Sequence, residues 1–329
     1  MDLQIRLMQS EDAAGVVELY RTVYGDAYPV KSVYDPVAIM AAQDAGDCYR
    51  IVAVDEGRVL GHIASYRSAP PNPRLYEDGQ GMVLPECRNR NILEDIWCYC
   101  HEVVHPEKGI TLRWGEGVCN HVFTQKASLK LGYIYTGIEI DLMPAAAYRK
   151  EKSSAGRVSS ILGFKVTDDV TRTIHVPAVY SGIASFLYQP LPLRRRIETG
   201  AEPLPADRDT VSREEMYAEA AVARTTFMTL GRDFEARLTA MEEKALAAGC
   251  TVFQAFLNLS EPATVSALDL LRDHHYFLGG VLPRWYDDDG ILMQKILHEP
   301  NIQGIKLESE GSWRILDLLL KDRESVLEG

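Results

Sequence analysis

Between Val83 and Leu93 the chain reads Val-Leu-Pro-Glu-Cys-Arg-Asn-Arg-Asn-Ile-Leu. A strand-like run passes through a tight basic turn into the start of a helix. Helix N-terminal amides lack intrahelical partners and carry partial positive charge, so such a turn can cradle a diphosphate. Arg88-Asn89-Arg90-Asn91-Ile92-Leu93 has that spacing, with Asn91 and Leu93 where small residues are expected. Asn tolerates a left-handed backbone, so the turn can survive at Asn91. The Leu93 side chain would crowd a phosphate approaching the backbone. Asn91-Ile92-Leu93-Glu94 also reads as a capping box, whose side chains would occupy those amides. Glu94 and Asp95 would repel an anion, and acids are also what a first helical turn favours. The residues support a phosphate cradle and a self-capped helix alike.

Hydropathy places elements around this turn. Gln4 to Met8 predicts a strand, and Ser10-Glu11-Asp12 opens a helix with Val16, Leu19, Tyr20 and Val23 at helical spacing. A short helix covers Val37 to Ala45. Tyr49–Val54 and Val59–Tyr66 form a hairpin across Asp55-Glu56-Gly57-Arg58, and Leu75–Leu84 is a further strand. After Asn91 a helix presents Ile92, Ile96, Cys100 and Val103 on one face. A strand at Thr111–Val118, a helix at His121–Lys130 ended by Gly132, and a strand at Tyr133–Leu142 complete a mixed unit of about 145 residues.

The domains expected are 1–147, a linker at 148–160 rich in Ala, Lys, Ser and Gly, a second domain at 161–300, and a tail at 301–329. The second domain carries strands near Phe164–Val166 and Thr173–Val176, and a mobile loop near Glu198–Asp209. A helix with Phe234, Leu238, Met241 and Ala245 leads to a strand at Thr251–Leu259. A helix at Glu261–Arg272 and strands at Phe277–Trp285 and Ile291–Leu297 close it. The tail adds a short strand near Ile305 and a helix from Ser312 with Trp313, Leu316 and Leu320 on one side. Gly132-Tyr133…Gly137…Pro144 matches His275-Tyr276…Gly280…Pro283, which suggests an internal duplication.

The first unit resembles the GNAT superfamily of acyl-CoA-dependent N-acetyltransferases over roughly 140 residues. The local match is Val83-x-Pro85-Glu86-x-Arg88-Asn89-Arg90-Asn91-Ile92, joined by the helix and Gly-aromatic ending of His121–Tyr133. The second unit resembles a diverged GNAT domain over Thr251–Gln294, without a phosphate turn. The resemblance implies an α/β protein of the mixed α+β kind: two tandem GNAT-like domains, each a twisted, mainly antiparallel mixed sheet flanked by helices. It implies acetyl-CoA as co-substrate. Amides near Val83 and Leu84 would hold the pantetheine and polarise the thioester. Amides from Asn89 through Asn91 and Ile92 to Leu93 would face the diphosphate, with Arg88 and Arg90 adding charge. At the family's late-helix positions stand His121, which titrates near neutrality, and Ser128, where a proton-donating Tyr is usual. His121 and Gln125 would share a helix face. Glu116, between two glycines on a strand, is the expected general base, with His62 as a second candidate; each has a plain structural reading beside it.

A net charge of −12 leaves no basic stripe for nucleic acid and draws cationic acceptors, here a small-molecule amine. No apolar run suits a membrane span and no basic leader precedes an apolar core, so the cytoplasm is expected. The six cysteines show no framework spacing. Cys98, His101 and His105 share a helix face, with Cys100 in the apolar stripe, but a fourth ligand is lacking and no metal is expected. Gly231-Arg232-Asp233 reads as a helix cap and Asp287-Asp288-Asp289-Gly290 as a solvated hairpin turn. The function expected is N-acyl transfer from CoA to an amine. The alternative is a degenerate, non-catalytic module that binds acyl-CoA or a small molecule, or scaffolds a partner.

Overall fold

The computed structural model describes residues 3–26, 28, 30–145 and 156–328. The chain divides into two compact units, Met1–Gly115 and Glu116–Gly329. Both are mixed α/β, with sheets flanked by helices. Of the expected linker, residues 148–155 lie outside the described residues, and Val158–Ser160 already belong to a strand.

In the first unit, β1 (Gln4–Leu7), α1 (Ala13–Tyr24), α2 (Pro36–Asp44), β2 (Cys48–Asp55), β3 (Arg58–Arg67) and β4 (Leu75–Val83) follow in order. Then come α3 (Ile92–Tyr99), a π-helical turn (Cys100–Val104), α4 (His105–Lys108) and β5 (Leu112–Val118), which runs across the boundary. Strands β1 to β4 pair antiparallel in sequence order, and β4 pairs parallel with β5 from Leu75/Leu112 to Glu77/Trp114. The β2–β3 hairpin turns through Glu56 (φ 47°) and Gly57 (φ 78°), the two positive φ values a tight hairpin of this hand needs.

One irregularity shapes β4. His62 pairs with Met82 and Ala64 with Gly79, so Gln80 and Gly81 together oppose Ile63. Gln80 takes φ 53° at this bulge. Both faces of the sheet are covered. Helix α1 buries Val16, Val17, Leu19 and Tyr20. Helix α3 approaches closely because Gly61 has no side chain: a Cβ there would stand 3.0 Å from both Ile92 Cγ2 and Ile96 Cδ1.

The second unit contains α5 (Phe123–Lys130), β6 (Ile134–Met143), β7 (Val158–Val166), β8 (Arg172–His175), α6 (Ala178–Tyr188), β9 (Arg195–Glu198), β10 (Val211–Tyr217) and β11 (Val222–Thr229). They are followed by α7 (Phe234–Ala247), β12 (Val252–Asn258), α8 (Thr264–Asp273), β13 (Phe277–Leu282), β14 (Gly290–Ile296) and α9 (Glu310–Glu328). Its strand order is β7-β6-β13-β14-β12-β11-β10, antiparallel except for β11 with β12; β8 and β9 pair separately. The two matched sequence motifs meet: Gly137 on β6 pairs with Gly280 on β13, where the ladders of both strands to their other neighbours shift register.

Several expectations are corrected. The region near Ile305 is not a strand; a 3-10 turn ends at Gly304, and Lys306 N donates to Cys119 O. Helix α9 buries Ile315, Leu316, Leu319 and Val326, leaving Trp313 half exposed. The stretch before Asp209 is fastened, with Arg208 Nε donating to Leu230 O and Ser266 Oγ to Glu202 O. Among the described residues no helix is long and apolar enough to cross a membrane.

Candidate functional site

The turn that opens α3 is exposed from Arg88 through Asn91. Asn89 (φ 66°) and Asn91 (φ 58°) both take the left-handed conformation. Asn91 is the N-cap residue and its side chain makes no capping bond. The expected capping box is therefore not formed, because a side chain that caps needs an extended backbone at the N-cap. Leu93 leans onto the β4 bulge: a Cβ on Gly81 would lie 3.2 Å from its Cδ1. The amide of Leu84 donates to Leu60 O at 2.9 Å, so the sheet already uses it, and Val83 pairs with Gly61. Arg90 borders a hollow of about 520 Å³ that it shares with Asp55, Glu56, Arg58 and Glu86. Charges of both signs line it, and Arg58 already pairs with Glu86 at 2.6 Å.

Beneath α1 lies a group that the sequence reading did not assemble. Tyr20 donates to Gln80 Oε1 at 2.6 Å, and Arg50 Nη1 donates to the same oxygen at 3.2 Å. His62 is fully buried, and burial followed by the Arg50 charge holds its pKa well below 6.5. Its ring is thus neutral. Nδ1 donates to Gln80 O at 3.2 Å, leaving Nε2 as the acceptor 3.4 Å from Arg50 Nη1. The rings of Tyr28, Tyr34 and Tyr24 surround Tyr20 at centroid distances of 5.1, 6.4 and 6.5 Å. His62, the second candidate base, takes its plain structural reading here, a buried acceptor on β3.

On the other face the π-helical turn gathers a second cluster. Its i→i+5 bond, His105 N to Cys100 O, brings Cys100 Sγ to 3.3 Å from His105 Nε2. Asp78 on β4 lies 3.4 Å from His101 Nε2 and 3.3 Å from His105 Nε2. The expected helical face is corrected here: Asp78, not Cys98, completes the group, and Cys100 joins its edge. Among the described residues Asp78, His101 and His105 form the one cluster of ligand-type atoms close enough for a metal. The donor chemistry argues against that use. Arg113 Nη1 donates to His105 Nδ1 at 3.2 Å, so the ring's proton sits on Nε2, the nitrogen facing Asp78, and that nitrogen has no lone pair to offer a metal. Burial alone would lift the Asp78 pKa. His105 and His101 outweigh it and hold the carboxyl well below its usual range. The cluster is a buried anion held by imidazoles.

The three residues proposed for proton transfer lie in the second unit. Glu116 is exposed on β5 rather than buried, and its charge acts on Arg224 and Tyr217. His121 precedes α5, so the shared helix face with Gln125 is absent; the buried Gln125 amide instead donates to His121 O, Val118 O and Lys306 O. Ser128 donates to Thr124 O within the helix. Near it is Tyr135, whose hydroxyl donates to Gln125 O and whose pKa burial raises.

The place of a second phosphate turn is filled. A Cβ on Gly231 would stand 2.4 Å from Asp209 C, because the 208–210 backbone passes directly over it. Asp233 makes no cap for α7; its carboxylate accepts from Thr210 N at 2.6 Å. Asp289 is not solvated: it is buried, pairs with Arg195 at 2.5 Å and accepts from Tyr188 Oη at 2.7 Å. A largely apolar cavity of about 460 Å³ lies in this unit among Tyr133, Tyr135, Phe186, Leu187, Ser312 and Ile315.

No protein-family model matches the sequence, and no curated protein matches it. Solved structures do match. The ribosomal-protein-S5-alanine acetyltransferase of Vibrio fischeri is 15% identical, over 51% of this chain and 95% of its own, with a TM-score of 0.41. An N-acetyltransferase of Staphylococcus aureus Mu50 is 14% identical, over 50% and 99%, with a TM-score of 0.41. The PaiA N-acetyltransferase of Thermoplasma acidophilum, in complex with coenzyme A, is 15% identical, over 51% and 100%, with a TM-score of 0.36. The chain is similar in part, over about half its length, to N-acetyltransferases of known structure.

Proposed function

We propose that the chain is an N-acyltransferase that moves an acetyl-type group from CoA to the amine of a small molecule. The observation that carries this reading is the exposed Arg88–Asn91 turn, left-handed at Asn89 and Asn91, which opens α3 without a side-chain cap. An uncapped helix start flanked by two arginines suits a diphosphate. The amine nitrogen would attack the thioester carbonyl and form a C–N bond, and the C–S bond would break to leave CoA thiolate. The amine's proton passes to a base and the thiolate takes one up, so no covalent enzyme intermediate is needed. Because the Leu84 amide already donates to Leu60 O, the oxyanion would be received at the β4 bulge, Gln80–Gly81, where the ladder with β3 shifts register. Glu116, His121 and Ser128 stay as proposals for proton handling, Glu116 as an exposed carboxylate base.

Titration calorimetry tests this. Acetyl-CoA should bind with measurable heat, and the Arg88→Ala, Arg90→Ala pair should weaken it about three- to tenfold, the range for removing two exposed charge-assisted contacts. No heat with either acetyl-CoA or free CoA rejects the reading. A non-catalytic acyl-CoA-binding module is favoured by Ser128, whose hydroxyl is spent on Thr124 O. It predicts CoA heat with no release of CoA thiol across an amine panel.

A further inference from the structure

Arg50 is 4% exposed, yet among the described residues its guanidinium meets no carboxylate. Its partners are the neutral His62 ring and the Gln80 amide oxygen, and its Nε has no partner at all. A permanent cation taken out of water without a counter-charge is costly, so buried arginines are ordinarily paired. The neighbouring core does not solve this. The Cys48 thiol is pushed up by burial, and burial also raises the hydroxyl pKa values of Tyr20 and Tyr28, so none of the three supplies an anion.

The surroundings are not a sealed core either. Gln80, Tyr24, Tyr28 and Tyr34 are half-buried, so the group reaches solvent on the tyrosine side. Tyrosine rings give a flat amphipathic wall. At its edge stands Glu77, half-buried, accepting from Tyr66 Oη and close enough to act on the Tyr28 hydroxyl. One cation and one anion thus flank an aromatic wall beside the irregular stretch of β4.

We propose that Arg50 binds the carboxylate of a small α-amino acid, held between the Arg50 guanidinium and the wall of Tyr24, Tyr28 and Tyr34. Resting on the acyl-transfer reading above, that amino acid is the acyl acceptor, with its amine on the Glu77 side. Arg50 is then a specificity-determining residue: it selects acceptors that carry a carboxylate and supplies the pairing that its own burial lacks.

The test titrates each standard L-amino acid, and its carboxamide, into the whole chain and into Arg50→Met. The wild type is expected to bind at least one amino acid ten times more tightly than the carboxamide. Arg50→Met should abolish that preference, leave the heat of acetyl-CoA binding unchanged, and melt no lower than wild type, since it removes an unpaired buried charge at similar volume. A merely structural arginine would instead lower Tm on substitution and show no amino acid preference. The proposal is overturned if no amino acid binds, if carboxamides bind equally, or if Arg50→Met keeps the preference. Amino acid binding without acetyl-CoA heat would retain the Arg50 site and reject acyl transfer.

Discussion

Asn91 and Leu93 depart from a phosphate turn in different ways. Asn91 keeps the backbone of the turn by taking φ 58°, and in doing so gives up the capping role its side chain could play elsewhere. Leu93 spends its side chain on Gly81 of β4. Leu93→Gly should therefore destabilise the chain by about 1–3 kcal/mol, through lost packing of a half-buried leucine against Gly81. Denaturant unfolding measures this, and calorimetry shows whether acetyl-CoA affinity changes with it. Asp78→Asn should cost about 3–5 kcal/mol, because it uncouples a buried carboxylate from His101 and His105 while Arg113 stays charged. The basic turn was legible residue by residue, since its signals are local. Asp78 and Arg50 were not. Each sits in an ordinary-looking strand, and its meaning comes from side chains on other strands and helices.

Elements with a clean period were read well: α1, the β2–β3 hairpin, β12 and α8 are all found near their expected positions. Those that fail do so for physical reasons. β10 reads Val-Ser-Arg-Glu-Glu-Met-Tyr and is partly exposed along its length, so it lacks the apolar alternation that reveals a strand. Helix α6 begins after Pro177 with no side-chain cap, and it escaped notice for want of a start signal. The π-helical turn could not be anticipated, because one extra residue in a turn leaves no mark in composition. It has a measurable consequence. Inserting an alanine after Glu102 should turn His105 out of phase with Cys100, carry it away from Asp78, and lower Tm by at least 5 °C, as a loss of roughly 1–2 kcal/mol would in a domain of this size. An unchanged Tm would mean that the Cys100–His105 spacing contributes nothing.

For the molecule as a whole, acid is the expected weakness. His62 has its folded pKa depressed below 6.5, so below that pH the unfolded chain binds a proton that the folded chain refuses, and stability is lost as pH falls. Asp78 acts in the same direction in a lower window: its contribution is present above the unfolded value of 3.8 and is lost as pH falls through the depressed folded value. Tm should drop between about pH 6.5 and 5, and His62→Gln should flatten that drop while leaving the lower one. A flat wild-type profile over that interval would contradict the buried neutral ring. The meeting of Gly137 and Gly280 reaches further. A Cβ on Gly137 would stand 2.5 Å from Gly279 O, and one on Gly280 2.3 Å from Gly137 Cα, so every obstacle is backbone. Trimming a neighbouring side chain cannot make room. A genetic screen begun from Gly137→Ala should accordingly yield true revertants and no second-site suppressors among the residues in contact, and the two halves of the repeated motif must be inherited as a matched pair.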